Sequence, residues 1–241
     1  MLNIYVRQDL KMRKGKMAAQ SAHAAMKLFF EVMRKPLGKM ILGNIQNQEF
    51  QTFLKNPVVK IHMVKDESAL DNALDLTLPY SKIIDSGRTE FHGVPTLTCA
   101  AQGIFSQCDI EELEVPYAYG KDIKAKQIFV FNKDFPLSKE ISCELSVLSC
   151  LKLLNDKMKI ENNEQYFDLQ EVGPFIDWIL NAFAKIALST KTLEELNAVE
   201  NILIENSIQF VRIVNQDNHC LCIEPCYPND IDPITGSLSL I

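Results

Sequence analysis

Three observations in this 241-residue chain predict an α/β fold, organised as two tandem three-layer α/β/α domains, each around a mostly parallel (mixed) central sheet of about four strands. Short apolar runs alternate with longer segments of helical period through residues 1–105, the signature of helices layered on a sheet. The pattern then recurs. Slid against itself by 125 residues without a gap, the chain shows twelve identities between residues 4–74 and 129–199, against roughly four expected by chance, which reads as a tandem duplication. The length suffices for one large or two small cores.

Leu2 to Val6 alternates as a strand, and Lys16 to about Met33 has the period of a helix, broken by Pro36 and Gly38. A shorter helix is expected over residues 45–55, with Ile45, Phe50, Phe53 and Leu54 inward and Pro57 at its end. Val58 to Val64 reads as a buried strand. Ser68 caps a helix reaching about Leu76, Tyr80 to Ile84 forms the next strand, and Thr96 to Ala101 closes the unit. In the second unit, QIFVF ahead of KDFPLSKE mirrors NIYVR ahead of QDLKMRKG, and AKIAL mirrors VKIHM. With five extra residues after the helix, Ile208 to Asn215 aligns with Leu78 to Asp85. The expected division is residues 1–120 and 121–241.

Composition excludes several classes. No apolar run approaches the ~18 residues of a spanning helix, and the N-terminus enters a strand without a signal peptide. Seven cysteines, an odd number, point to reduced thiols and a cytoplasmic setting. His219, Cys220, Cys222 and Cys226 lack a second ligand pair and read as ordinary buried thiols, so no metal and no cofactor are expected. The net charge of −6 divides unevenly: residues 1–120 carry 14 basic against 13 acidic side chains, net +1, and residues 121–241 carry 11 against 18, net −7. A polyanion would approach the first half.

The stretch RQDLKMRKGKMAAQSAHA, Arg7 to Ala24, carries the densest signal. A loop with Lys11, Arg13, Lys14 and Lys16 leads into a helix whose N-terminal N–H groups favour anions. Lys16, Gln20 and His23 are four and then three apart, on one helical face. The stripe continues to Lys27, so the plain solvated face of an amphipathic helix fits the spacing as well. Downstream, Asp85-Ser86-Gly87-Arg88-Thr89-Glu90 follows a strand; alone it is an ordinary turn with Asp capping and Gly at positive φ.

Taken together, the two motifs resemble the signature of the second, archaeal and eukaryotic-type, family of peptidyl-tRNA hydrolases. Its first element reads about R-x-D-L-K-M-x-K-G-K-x-A-A-Q-x-x-H-A and its second D-A-G-R-T-Q. The resemblance covers residues 1 to about 105. It departs in three places: Arg13 stands where the family often has glycine, Glu90 replaces a glutamine, and His92-Gly93-Val94-Pro95-Thr96 alters the following turn. Glu90 puts a carboxylate near the phosphate path, weakening tRNA affinity; the altered turn leaves the match of Thr96 to the family's threonine open.

The resemblance implies hydrolysis of the ester joining a peptide to the 3′ ribose of tRNA, with Lys16, Gln20, His23, Asp85 and Thr89 as catalytic residues. Lys11, Arg13, Lys14, Arg88 and Thr96 would bind substrate. In our division of roles His23 is a general base or proton shuttle, and Asp85 orients it or the water, or is itself the base. Lys16 stabilises developing charge or holds the terminal phosphate, and Gln20 and Thr89 hydrogen-bond substrate or water. Direct water attack, without a metal or covalent intermediate, is the simplest route. The partner implied is tRNA.

The second copy, by the same alignment, loses this set: Lys16, Gln20, His23 and Asp85 become Ile141, Leu145, Leu148 and Asn215, and Arg88 and Thr89 have no counterparts. Its end, IDPITGSLSLI, resembles the ending of single-domain family members. Since the family is known for two-fold homodimers, the degenerate copy is expected to complete an internal pseudo-dimer, a homodimer being the other arrangement. Its apolar helix face would be covered, and its acidity suits a non-RNA surface for an unknown protein partner. The competing functional class is a catalytically faded tRNA- or protein-binding module, and another aminoacyl-ester hydrolase shares the same residues. Loss of all three of Lys16, His23 and Asp85 in one copy, with all three kept in the other, argues for chemistry in the first.

Overall fold

In the computed structural model, residues 1–33, 39–44, 48–87, 90–103, 124–161, 164–181 and 183–241 are described. They form two mixed sheets, a small third sheet and seven helices. The first sheet contains β1 (Leu2–Arg7), β3 (Val59–Val64), β4 (Tyr80–Asp85) and β5 (Thr96–Gly103), in the order β3-β1-β5-β4. β1 runs parallel to β3 and antiparallel to β5, and β4 is antiparallel to β5. Leu2, Ile4 and Val6 are fully buried, as the alternation of a central strand requires.

The second sheet contains β6 (Lys126–Phe131), β9 (Ala184–Ser189), β10 (Phe210–Asn215), β11 (Asn218–Cys226) and β12 (Ser239–Leu240), in the order β10-β11-β6-β9-β12. Apart from β12, order and strand directions repeat those of the first sheet: β6 is parallel to β9 and antiparallel to β11, and β10 is antiparallel to β11. α1 (Lys14–Val32) and α4 (Lys139–Lys157) stand 125 residues apart at both ends, as do β3 and β9.

These two helices form one shared layer. α1 packs on α4, on its own sheet and on β9, while α4 packs on β10, β11 and β3. Small residues make the close approach possible: Ala18, Ala22 and Ala25 on α1 and Ser142, Ser146 and Cys150 on α4 are all buried. The core between the sheets draws on both halves, joining Met26 and Phe30 to Val147, Leu151 and Phe183. Outside, α3 (Glu67–Ala73) covers the first sheet through Leu70. α6 (Leu193–Glu205) covers the second, with α7 (Pro228–Thr235) packed on it.

The third sheet joins the halves. β2 (Lys39–Asn44) pairs antiparallel with β8 (Glu164–Asp168), which pairs with β7 (Lys159–Glu161). Lys39 lies opposite Asp168 and Asn44 opposite Glu164, so the two segments related by the 125-residue offset pair with each other, as strands facing across a two-fold axis do.

Several expectations shift. α1 begins at Lys14, two residues early. The helix expected at 45–55 is α2 (Gln48–Lys55), with Phe53 and Leu54 buried; Ile45 lies outside the described residues, as do Pro36, Gly38 and the expected boundary at 120. β2, β7 and β8 had no sequence counterpart; their sheet depends on β2 pairing with β8 far along the chain, which no local pattern marks. β3 is a half-exposed edge rather than a buried strand, since only one face meets α4. α3 is capped by Asp66, whose Oδ1 accepts from Ala69 N at 2.9 Å, not by Ser68. On α4, Leu145 is fully buried beneath the second sheet while Ile141 and Leu148 are only partly buried, so this apolar face is covered in part. The six described cysteines are free and buried. No described helix is long and apolar enough to cross a membrane.

Candidate active site

The β1–α1 loop and the start of α1 meet the end of β4 at Asp85. The helix is tied there by its backbone: Cys99 Sγ donates to Gln20 O at 3.2 Å and Ser81 Oγ to Ala24 O at 2.7 Å. Lys27 Nζ donates to Lys82 O at 3.0 Å. Arg7 holds the loop from below. Its buried guanidinium donates to Asp9 through Nε at 3.1 Å and Nη2 at 2.7 Å, and through Nη1 to Glu67 and Leu97 O. Hydrogen bonding from Arg7 keeps the Asp9 carboxyl below its ordinary range. These two motif residues therefore shape the loop.

Three of the expected site residues converge. Lys16 Nζ donates to Asp85 Oδ2 at 2.5 Å, and Gln20 Nε2 donates to the same oxygen at 2.7 Å. The other oxygen, Oδ1, accepts from Gly87 N at 2.8 Å. The Lys16 and Asp85 side chains are only 15% and 11% exposed, so their pairing is shielded from bulk screening. Behind Gln20 stands Thr98, fully buried, its Oγ1 3.3 Å from Gln20 Oε1 and 3.2 Å from Ile83 O, with one proton to share between them.

The segment after Asp85 folds back sharply. Gly87 (φ 78°), Phe91 (φ 58°), His92 (φ 52°) and Gly93 (φ 79°) all lie in the left-handed region, closed by Gly93 N donating to Gly87 O at 3.0 Å. A Cβ on Gly87 would meet Val94 N and O at 2.6 Å. The fold-back sets the Phe91 ring 5.7 Å from Lys16 Nζ, within cation–π range. A groove of about 810 Å³ opens beside it, lined by Lys11, Arg13, Gly87, Glu90 and Phe91.

Other expected residues are placed differently. Arg13, 62% exposed, donates Nε to Glu90 Oε1 at 2.9 Å, so the two departures from the family motif pair with each other. Lys14 reaches the second half, donating Nζ to Leu137 O at 2.6 Å. Lys11 is exposed, with φ 50°. Thr96 stands opposite Asp85 on β5, its hydroxyl donating to Val94 O at 2.9 Å. Arg88 and Thr89 lie outside the described residues.

His23 is on the expected face, but its ring packs edge-on against Phe183 of the second half, centroids 4.9 Å apart. Desolvation, then the charges of Lys185 and Lys27, push its pKa well below the ordinary value and hold the imidazole neutral. Lys185 lies over Phe183 and Trp178, 3.4 and 4.5 Å from the ring centroids, and burial among these rings pulls its ammonium down to about 7. Thr98 and Phe91 had not been singled out. The strand period offered a signal for the first, two residues from Thr96 on the same face; nothing local marked the second.

Residues 1–113 match the family Peptidyl-tRNA hydrolase PTH2. Curated proteins called peptidyl-tRNA hydrolase align with the same region. The protein from Metallosphaera sedula is 36% identical over 101 residues, 42% of this chain and 82% of that protein. The one from Saccharolobus islandicus strain L.S.2.15 is 37% identical over 102 residues, with the same shares. The one from Saccharolobus solfataricus is 33% identical over 101 residues, again 42% and 82%.

Proposed function

The chain belongs to the peptidyl-tRNA hydrolase PTH2 family, and from that membership we propose that it cleaves the ester between a peptide and the 3′ ribose of tRNA, returning free tRNA. The observation that carries the reading is the convergence of Lys16 and Gln20 on one oxygen of Asp85, next to Gly87 and Phe91 of a groove that Lys11 and Arg13 also line. Ester hydrolysis needs a positioned water, a proton acceptor and a donor to the oxyanion. In this reading Asp85 accepts the proton of the attacking water, which Gln20, steadied by Thr98, orients. Lys16 carries the charge that develops on the carbonyl oxygen. Collapse breaks the bond to the ribose oxygen, which leaves with the proton that Asp85 took from the water, so the carboxylate is restored. These side chains suffice without a metal or a covalent enzyme intermediate. His23, packed on Phe183, is read as a positioning residue for α1 rather than the base.

We further read residues 1–120 as the unit bearing the site and residues 121–241 as a degenerate copy that completes an internal pseudo-dimer. The repeated strand order, the shared helix layer and the pairing of β2 with β8 support that reading.

The test is release of free tRNA from labelled peptidyl-tRNA by the purified chain in EDTA. Multiple turnovers are expected. Binding of tRNA without release would instead return the faded binding-module reading.

A further inference from the structure

The groove beside Asp85 continues onto the second half. Arg13 lines both the cavity described above and an adjoining one of about 570 Å³, whose far wall is the turn between β6 and α4. That turn brings Lys133, Phe135 and Lys139 to the cavity, all three exposed, Phe135 by 41%. Lys139 opens α4 as Lys14 opens α1, and Lys14 itself bridges the two walls through Leu137 O. The strip therefore runs from Lys11 and Arg13 across Lys14 to Lys133 and Lys139, with an aromatic ring among the cations.

Carboxylates flank this strip: Asp134, which accepts from Leu193 N at 2.6 Å, lies between Lys133 and Phe135, Glu140 follows Lys139, and Glu90 faces Arg13. Neither Asp134 nor Glu140 lines the cavity, so the charged side chains that the turn presents to it are the two lysines. Spaced cations answer phosphates, and an exposed ring among them offers a stacking face for an unpaired base.

We infer that the β6–α4 turn of the second half is a tRNA-binding element: Lys133 and Lys139 contact backbone phosphates of the substrate, and Phe135 stacks on a base of its single-stranded 3′ end. The inference rests on the peptidyl-tRNA reading of the first-half site. It gives the copy that lost Lys16, Gln20, His23 and Asp85 a direct part in substrate recognition, and replaces the expectation that the acidic half presents no RNA surface.

The test is binding of deacylated tRNA to the full chain at several salt concentrations, with thermal melts to verify folding. Variants are Lys133→Glu with Lys139→Glu, and separately Phe135→Ala. Lys152→Glu serves as control, an exposed reversal on α4 about 20 Å along the helix from Lys139. The double reversal is expected to weaken binding at least about tenfold and lower the slope of log K against log salt by about 1 to 2. Phe135→Ala is expected to weaken it about fivefold or more, and Lys152→Glu to bind as the parent does. If the parent binds tRNA and the double reversal and Phe135→Ala bind equally well, the inference is overturned. Equal weakening by Lys152→Glu also overturns it, because bulk charge then explains the effect. A parent that neither binds nor hydrolyses would instead remove the functional reading itself, and this inference with it.

Discussion

Asp85 has both carboxylate oxygens engaged, Oδ2 by Lys16 and Gln20 and Oδ1 by Gly87 N. Gln20 depends in turn on Thr98. Thr98→Val keeps the shape and removes the hydroxyl, so we expect kcat to fall about tenfold with KM little changed, while Thr98→Ser restores most of the rate. An equal loss in both variants would make Thr98 a packing residue only. Glu90 acts in the opposite sense: it occupies Arg13. Glu90→Gln frees that guanidinium, and tRNA affinity should rise with a steeper salt dependence, by about one unit of slope; an unchanged slope would show that Arg13 meets no phosphate. At this scale the sequence was readable where spacing alone decides, since residues 16 and 20 on a helix must share a face. For Thr98 the strand period marked the face but not the role, which depends on the register of β5 against β4; nothing local gave the direction of the His23 ring, which packs on Phe183, 160 residues away.

Among the elements, α1 starts without a side-chain cap, whereas α4 is capped by Ser138, whose Oγ accepts from Ile141 N. Gly15 N instead donates to Ile241 O at 3.1 Å, and a Cβ at Gly15 would meet that oxygen at 2.8 Å and Ala187 Cβ at 3.2 Å. Gly15→Ala should therefore lower the melting temperature by several degrees, despite the better helix propensity of alanine; a rise would mean that the final strand yields freely. The connection from α5 (Pro174–Ile179) to β9 is costly in another way. Phe183 holds φ 56°, and beside it the ammonium of Lys185 is drawn down to about 7. Lys185 and His23 both bind protons less readily folded than unfolded. Their contribution to stability is therefore greatest at high pH and declines as pH falls, for Lys185 from about 10.5 towards about 7 and for His23 below about 6.5. Lys185→Met should raise the melting temperature at pH 7 and flatten its rise between pH 7 and 10; a profile that keeps its slope would assign the pH dependence to other groups. The long helices and central strands were legible because they repeat a period many times. β2 and β8 were not, because their pairing is a long-range match between two short segments.

For the whole molecule, two sheets with the same strand order enclose one helix layer, and the core between them belongs to neither half alone. A chain so built should run as a monomer in a solution mass measurement, the shared layer occupying the face that a second copy would need; a stable dimer would contradict the internal pairing. The repeated hydrophobic pattern was visible in sequence, and the repeated strand order is in keeping with the duplication we propose. How the two halves meet was hidden, since α1 against α4 and β2 against β8 are contacts of high sequence separation. The central claim is that the chemistry sits on Asp85 in the first half. The most direct measurement is the single-turnover rate of peptidyl-tRNA hydrolysis by Asp85→Asn, beside His23→Ala and the parent, with melts to confirm folding. The account predicts a loss of about 10² to 10⁴ for Asp85→Asn and a loss under about tenfold for His23→Ala. A rate for Asp85→Asn within a few-fold of the parent would contradict it and move the reaction to another site.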